Sequence, residues 1–308
     1  MARLRGKAVD LGLSLDPGEG ELLPDEPLAR HTTWRIGGPA RLLGRARSEE
    51  GLSKILARAD REGLPLALLG MGSNILVADE GFPGVVVRLE GGFQAVAVEG
   101  ERLTAGGGAP LGGVCAAAQR AGLSGLEAIS GIPSSIGGAV RINAGAYGGE
   151  IFDVLESVRL VSRQGARREA AAAEIAHGYR WTALCDSGEI VSRATMRLSP
   201  ASREVIASKT RAVAEKRRGA LPGEPNAGSV FKNPPGDFAG RLIEACGLKG
   251  VAVGAAAISE RHANVIVNRG GARASDVLAL MRRMRDSVRE TFGITLSPEV
   301  EMLGLEWE

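Results

Sequence analysis

The sequence predicts a layered protein of helices and strands, α+β or α/β, and three observations carry that reading. Residues 48–89 run helix, strand, glycine turn, strand. Glycines are grouped rather than scattered, at Gly37-Gly38, Gly70–Gly72, Gly106–Gly108, Gly112-Gly113, Gly131–Gly149 and Gly270-Gly271. Near the C-terminus, Val277, Met281, Met284, Val288 and Phe292 repeat at the helical period and form the core stripe of a helix over 275–292.

The elements follow in chain order. Residues 1–25 are rich in Gly, Pro and charge and read as a loose lead-in. A helix is expected over 48–62, with Leu52, Ile55, Leu56 and Ala59 on one face. Short apolar strands at 66–69 and 75–77 bracket the turn GMGSN, and 84–89 (GVVVRL) is a further strand. Residues 95–108 read as strand and glycine turn, followed by a small-residue helix over 111–121. The densest glycine segment is 125–150, and strands are expected at 154–162 and 189–198. A basic helix over 202–218 ends in Lys216-Arg217-Arg218, and a Pro/Gly/Asn loop at 222–229 leads into a third region. There the sequence predicts a helix near 237–246, a strand at 264–267 and the helix 275–292, begun by Ser275-Asp276 and ended by Gly293.

Composition narrows the function classes. The 308 residues suit two or three domains and bury a core without disulfides or metals. With 44% apolar and 24% charged residues, the chain is not intrinsically disordered as a whole. No run approaches the ~20 apolar residues that cross a bilayer, and the N-terminal residues lack a signal-peptide core. Lys+Arg 38 against Asp+Glu 36 leaves +2 with the signs interspersed, which does not point to nucleic acid. Three well-separated cysteines without a CxxC disfavour a disulfide framework or zinc, so a reducing cytoplasm and no metal are expected. Glycine, 44 of 308 residues, is about twice as frequent as usual. Grouped glycine implies backbone in special φ/ψ or backbone approached closely, whereas base composition alone would scatter it.

Two of the glycine loops have the makings of phosphate cradles. GMGSN (70–74) follows an apolar strand and can expose consecutive N–H groups as an anion nest. PSSIGGAVRINAG (133–145) offers two hydroxyls, two glycines and a helix start. Neither is a P-loop, since no GK[ST] follows, and neither is a GxGxxG dinucleotide fingerprint. Each alone could be a structural turn; two in one chain suit a diphosphate cofactor.

Ordered blocks of sequence then resemble one family. LLGMGSNILVADEGFPGVVVRL (68–89) and GIPSSIGGAVRINAGAYGGE (131–150) resemble the flavin loops of the UDP-N-acetylenolpyruvoylglucosamine reductase family. HTTWRIGGPA (31–40), GYR (178–180), NAGSVFKNP (226–234), AGRLIEACGLKG (239–250), ISERHANVIVN (258–268) and SPEVEMLG (297–304) resemble it too, in the family's order. The length, without an insertion between Glu189 and Arg211, is similar to the shorter, type II members. The resemblance implies an α+β fold. An FAD-binding domain of the vanillyl-alcohol-oxidase (PCMH) type, over about 26–200 with subdomains 26–90 and 91–200, would precede an α+β substrate-binding domain over 201–308. It implies non-covalent FAD, NADPH as hydride donor, small-molecule partners including a UDP-sugar, no nucleic acid or membrane partner, and a cytoplasmic location.

The resemblance also distributes roles. FAD contacts fall on Gly70, Met71, Gly72, Ser73, Asn74, Pro133, Ser134, Ser135, Gly138, Ala139, Asn143 and Gly145. Hydride addition to an enolpyruvyl ether builds negative charge near the carboxylate and then needs a proton at the neighbouring carbon. Ser229 matches the family's proton donor; without the motif it would read as a turn cap. Arg180 is a fork for the carboxylate, at the end of an Ala-rich stretch that reads as helical. Glu299 matches the family's C-terminal glutamate, although Ser297 stands where many members carry a second one. Lys232, Asn233 and Lys249 are the expected substrate contacts, with Arg241, His262 and Asn264 as weaker candidates; His31 and His177 read as structural.

Overall fold

The computed structural model describes residues 12–307, so residues 1–11 of the expected lead-in lie outside the described residues. The chain divides into two compact units that are not contiguous in sequence. One comprises residues up to Glu26, Arg41–Gly70 and Gly84–Lys216; the other comprises Pro27–Ala40, Met71–Pro83 and Arg217–Glu308. The turn 70–74 therefore straddles a joint, with Gly70 ending a segment of the first unit and Met71 opening one of the second.

In the first unit, the helix Glu49–Arg61 buries Leu52, Ile55, Leu56 and Ala59 against Leu42, Val85 and Val87 of a four-stranded sheet. Ser48 caps that helix by accepting from the Gly51 N–H at 3.2 Å. The sheet runs in the order Gly20–Pro27, Pro39–Ala46, Phe82–Leu89, Leu66–Leu68, the last pair parallel. Its first strand begins inside the stretch expected to be a loose lead-in. Pro24, Asp25 and Glu26 disguise it, and an edge strand tolerates all three because one row of its backbone groups faces no partner. A second, antiparallel sheet orders Arg167–Ala171, Leu155–Val161, Ile190–Arg197, Arg102–Gly106 and Val96–Glu99. Its inner residues Leu103, Ala105, Val158, Leu160, Ala194 and Met196 pack under the helices Leu111–Ala121 and Ile136–Arg141. Gly106–Gly108 are small for a packing reason. A Cβ at these positions would meet Phe93 O, Val191 O and Leu89 O at 2.1, 1.9 and 2.2 Å.

In the second unit, the antiparallel strands Asn226–Ser229, Val265–Asn268, Ala256–Ile258 and Ala252–Val253 are paired in that order. The helix Ala274–Phe292 packs against them with Val277, Leu280, Met281, Met284 and Val288 fully buried. The expected stripe stops at Val288: Phe292 is exposed, with the Arg241 guanidinium 5.8 Å from its ring centre. The start of this helix is not held by Ser275-Asp276 alone. Asp79, far away in sequence, accepts from the N–H groups of Ala274 at 2.7 Å and Ser275 at 3.2 Å. Ile75–Val77, which follows the glycine turn, pairs in parallel with Glu301–Leu303. Trp34 is fully buried and donates its Nε1–H to Ile266 O at 2.7 Å, and Asn268 donates back to Trp34 O at 2.9 Å. Among the described residues no helix is long and apolar enough to cross a membrane.

Candidate active site

The turn 70–74 owes its shape to the segment beside it. Gly72 takes φ +64, and its carbonyl accepts the Thr33 N–H at 2.9 Å. A Cβ on Gly72 would lie 2.0 Å from His31 O, so the backbone that demands glycine here is the protein's own. The opposite side of the turn is different in character. The backbone N–H groups of Gly70, Met71, Gly72 and Asn74 have no hydrogen-bond partner among the described residues. Clustered peptide donors of this kind form an anion nest, which fits one phosphate of a dinucleotide. Asn74 does more than the sequence suggested: its Nδ2 donates to Glu299 O at 3.0 Å, and its carbonyl accepts the Glu301 N–H at 3.0 Å.

The second glycine loop behaves otherwise. Ser135 caps the helix Ile136–Arg141, its Oγ accepting from Gly138 N at 3.3 Å while its carbonyl accepts from Ala139 N at 2.8 Å. Ile136 N–H donates to Ala109 O at 2.9 Å and Gly137 N–H to Gly107 O at 2.7 Å. The donors of this helix start, expected to face phosphate, are already satisfied within the protein, and at six residues the helix contributes little dipole. Ser134 Oγ donates to Ser135 O at 2.9 Å. A Cβ on Gly70 would come within 2.6 Å of Ser135 Oγ, so the first unit brings the end of one loop against the start of the other. Asn143 is fully buried at φ +46, and its amide is spent inside the protein. Nδ2 donates to Glu150 Oε2 at 2.7 Å and Gly178 O at 3.2 Å, and Oδ1 accepts from Phe152 N at 3.4 Å.

That buried bracket positions Arg180. The Ala-rich stretch before it is not helical as expected: Arg167–Ala171 is a strand, paired with Leu155–Val161, and a single 3-10 turn Ala172–Glu174 follows. Sheet pairing overrides the helical preference of alanine. Arg180 sits at the tip of a hairpin between His177–Gly178 and Trp181–Thr182, at φ +55. Its guanidinium donates to Gly145 O at 2.7 Å and lies 5.1 Å from the Tyr179 ring centre. An arginine held in this uncommon conformation, and bonded to the loop that carries Asn143 and Gly145, is set in place by the fold. Tyr147, Tyr179 and Trp181 stand exposed on the same pair of hairpins, a grouping the sequence reading passed over although the chain has few aromatics. His177 stacks on Phe152 at 4.2 Å.

Ser229 and Glu299 lie on paired backbones of the second unit. Glu299 N–H donates to Val230 O, and Lys232 N–H to Ser297 O, both at 2.9 Å. Ser229 ends a strand with a bulge, where Gly228 takes φ +72 and its N–H reaches Asn226 Oδ1 at 2.9 Å. Beyond it, buried Asn264 clamps Phe231 from both sides: Phe231 N donates to Oδ1 at 3.0 Å and Nδ2 donates to Phe231 O at 2.8 Å. Asn264 is thereby committed to the scaffold. Asn233 Oδ1 accepts from Ala239 N at 3.0 Å, at the start of the helix Ala239–Ala245. Lys249 pairs with Glu244 at 2.5 Å. Arg241 pairs with Asp237, holding that carboxyl down to about 2. Burial lowers the His262 pKa, and the Lys249 charge lowers it further. The second unit thus gathers Met71–Asn74, Ser229, Lys232 and Glu299, and the first gathers Gly70, the 133–145 loop and Arg180.

Known proteins share this plan. Residues 40–171 match an FAD binding domain family, and residues 221–303 match the C-terminal domain of UDP-N-acetylenolpyruvoylglucosamine reductase. The chain is 45% identical over 290 residues to UDP-N-acetylenolpyruvoylglucosamine reductase 2 of Symbiobacterium thermophilum, covering 94% of each chain. It is 46% identical to the reductase of Heliobacterium modesticaldum, over 92% of this chain and 91% of that one. The crystal structure of the Thermus caldophilus reductase superposes with a TM-score of 0.80 at 42% identity, covering 92% of this chain and 98% of the other.

Proposed function

From the premise that the chain belongs to the UDP-N-acetylenolpyruvoylglucosamine reductase family, an oxidoreductase family of peptidoglycan precursor synthesis, we propose that it is a cytoplasmic, NADPH-dependent flavoenzyme. It reduces UDP-N-acetylglucosamine enolpyruvate to UDP-N-acetylmuramate. The observation that carries this reading is the turn 70–74. It presents peptide donors suited to a phosphate and is bonded through Asn74 to the backbone of Glu299. A cofactor loop and a candidate acid–base residue are parts of one hydrogen-bonded structure.

The residues that would hold FAD are the N–H groups of 70–74, with Pro133, Ser134, Ser135, Gly138, Ala139, Asn143 and Gly145 shaping the second loop. A flavin held there would supply the hydride chemistry that links NADPH to C3 of the enolpyruvyl ether. The chain's own groups do the rest. Arg180 offers a guanidinium to the carboxylate on which charge develops. Ser229 gives its hydroxyl proton to C2, and the resulting alkoxide must be reprotonated, with Lys232 and Glu299 as the assisting groups. Asn233 and Lys249 meet the sugar nucleotide. No His or Cys lies within GMGSN or PSSIGGA, so the flavin is held without a covalent bond.

The test is NADPH oxidation followed with and without UDP-N-acetylglucosamine enolpyruvate. Purified protein is expected to be yellow, to release its flavin on acid precipitation, and to oxidise NADPH steadily only with the enolpyruvyl substrate. Colourless protein that takes up no FAD, or oxidation indifferent to the substrate, refutes the reading.

A further inference from the structure

The structure assigns a role to Thr33, a residue outside both flavin loops and outside the candidate catalytic set. We propose that Thr33 is a positioning residue: it ties the flavin-holding turn at Gly72 to the loop that delivers Ser229, so that filling the turn orders the proton donor. This inference rests on the reading of the preceding subsection.

The geometry is specific. Thr33 makes two bonds to two different segments of the second unit. Its backbone N–H donates to Gly72 O at 2.9 Å. Its hydroxyl donates to Asn226 O at 2.7 Å, and the Gly72 carbonyl, at 3.3 Å, is the longer alternative. A hydroxyl has one hydrogen, and the shorter contact takes it. Each bond has a consequence one peptide further on. In a trans peptide the C=O and the following N–H point in opposite directions. Anchoring Gly72 O on Thr33 therefore turns the next N–H, that of Ser73, away from the 31–33 segment. Anchoring Asn226 O likewise fixes the peptide from which Asn226 builds its own turn, with Oδ1 taking the Gly228 N–H at 2.9 Å and Nδ2 reaching Glu224 O at 2.7 Å.

The Ser229 loop needs such an anchor. Downstream, the Asn264 clamp on Phe231 fixes the chain two residues after Ser229. Upstream, the strand pairing is interrupted between Asn226 and Ser229, and Gly228 adopts a left-handed conformation. A bulge with a glycine in it is easily deformed, and the Thr33 hydroxyl bonds the carbonyl where the bulge begins. A ligand that stiffens Gly72 then stiffens Asn226 through one side chain.

Hydrogen exchange on FAD-free and FAD-loaded full-length protein tests this without relying on turnover. Loading wild-type protein is expected to slow exchange across 226–230 by about 5-fold, equivalent to ~1 kcal/mol, the net worth of one hydrogen bond. Thr33→Val keeps the shape and the backbone bond but loses the hydroxyl; it is expected to bind FAD while erasing that response. Thr33→Ser restores the hydroxyl and is expected to restore the response. In turnover, Thr33→Val should slow flavin reoxidation by the enolpyruvyl substrate about 10-fold and leave reduction by NADPH within 2-fold. A Thr33→Val protein whose 226–230 segment still responds to FAD, or a Thr33→Ser protein that behaves like it, overturns the proposal. So does equal slowing of both half-reactions. Failure of the underlying reading shows instead in the wild-type arm, as protein that takes up no FAD, and that result overturns both.

Discussion

Asn264→Ala should cost the protein a large part of its stability although it removes only a small amide. The Asn264 side chain makes two bonds to one buried peptide: it accepts from Phe231 N at 3.0 Å and donates to Phe231 O at 2.8 Å. Phe231 is fully buried and Asn264 nearly so, and no water can replace the lost partner without entering the core. Each bond is worth about 1 kcal/mol net when both partners are removed together. Here only one partner leaves, so an N–H and a C=O remain buried and unsatisfied, each costing about 1–3 kcal/mol. The sum is about 2–6 kcal/mol, against a usual total of about 5–15 kcal/mol for a folded domain. With a urea slope of about 2–3 kcal/mol per M, the unfolding midpoint should fall by about 1–3 M. Urea unfolding followed by tryptophan fluorescence measures this, since Trp34 lies in the same core cluster as Phe231. A loss below about 1 kcal/mol would show that the clamp is not what holds this strand. It would also release Asn264 as a ligand contact.

Three more outcomes follow from the same geometry. Burial pushes the Asp79 carboxyl up, but the Ala274 and Ser275 bonds and the Arg273 charge bring it net below its ordinary value. A lowered folded pKa means that its stabilisation is full above the usual carboxylate range, near pH 4, and is lost as pH falls through the lower folded value. Asp79→Ala should cost about 1–2 kcal/mol at neutral pH, the worth of a helix cap, and flatten the acid limb of a melting-temperature profile; an unchanged limb refutes the cap. Ser229→Ala should leave NADPH bleaching of the flavin intact and slow reoxidation by the substrate at least ~100-fold in stopped flow. Slowed bleaching instead would make Ser229 a turn residue. Gly72→Val should lower the melting temperature of FAD-free protein as well as FAD affinity, because its Cβ would meet His31 O at 2.0 Å. An affinity loss with unaltered melting would show that the clash is relieved elsewhere.

Much of this was visible in the residues before the fold was known. The helix Leu111–Ala121 lies where its small-residue pattern places it, and Glu49–Arg61 and Ala274–Phe292 come within a residue or so of expectation. The apolar period marks Glu49–Arg61 and Ala274–Phe292, and in the latter the end signal Gly293 agrees with it. What escaped was set by partners distant in sequence. Asp79 caps a helix that begins 195 residues later, which no local window reports. The Ala-rich run before Arg180 has helical composition and becomes a strand because a neighbouring strand is there to receive it. Asn264 looked like a polar residue free for a ligand, and only burial beside Phe231 reveals its task. For the candidate site, Ser229, Arg180 and Glu299 were nominated by motif resemblance. Thr33 was not, because its work is to touch two carbonyls that sequence cannot place side by side.

The interleaving of the two units bears on how such a protein can be inherited. The unit that contains 217–308 takes its buried Trp34 and Ile36 from one excursion of the chain and Leu76 from another. A gene cut at a single point between the units would produce a C-terminal fragment with an empty socket at Ile266, where the indole of Trp34 belongs, and no mate for Glu301–Leu303. Recombination with a foreign flavin module would have to match five crossings at once rather than one. The two halves are stitched, and selection must therefore pass them on as a single heritable piece, unlike modules joined by a linker that can be shuffled freely between genes.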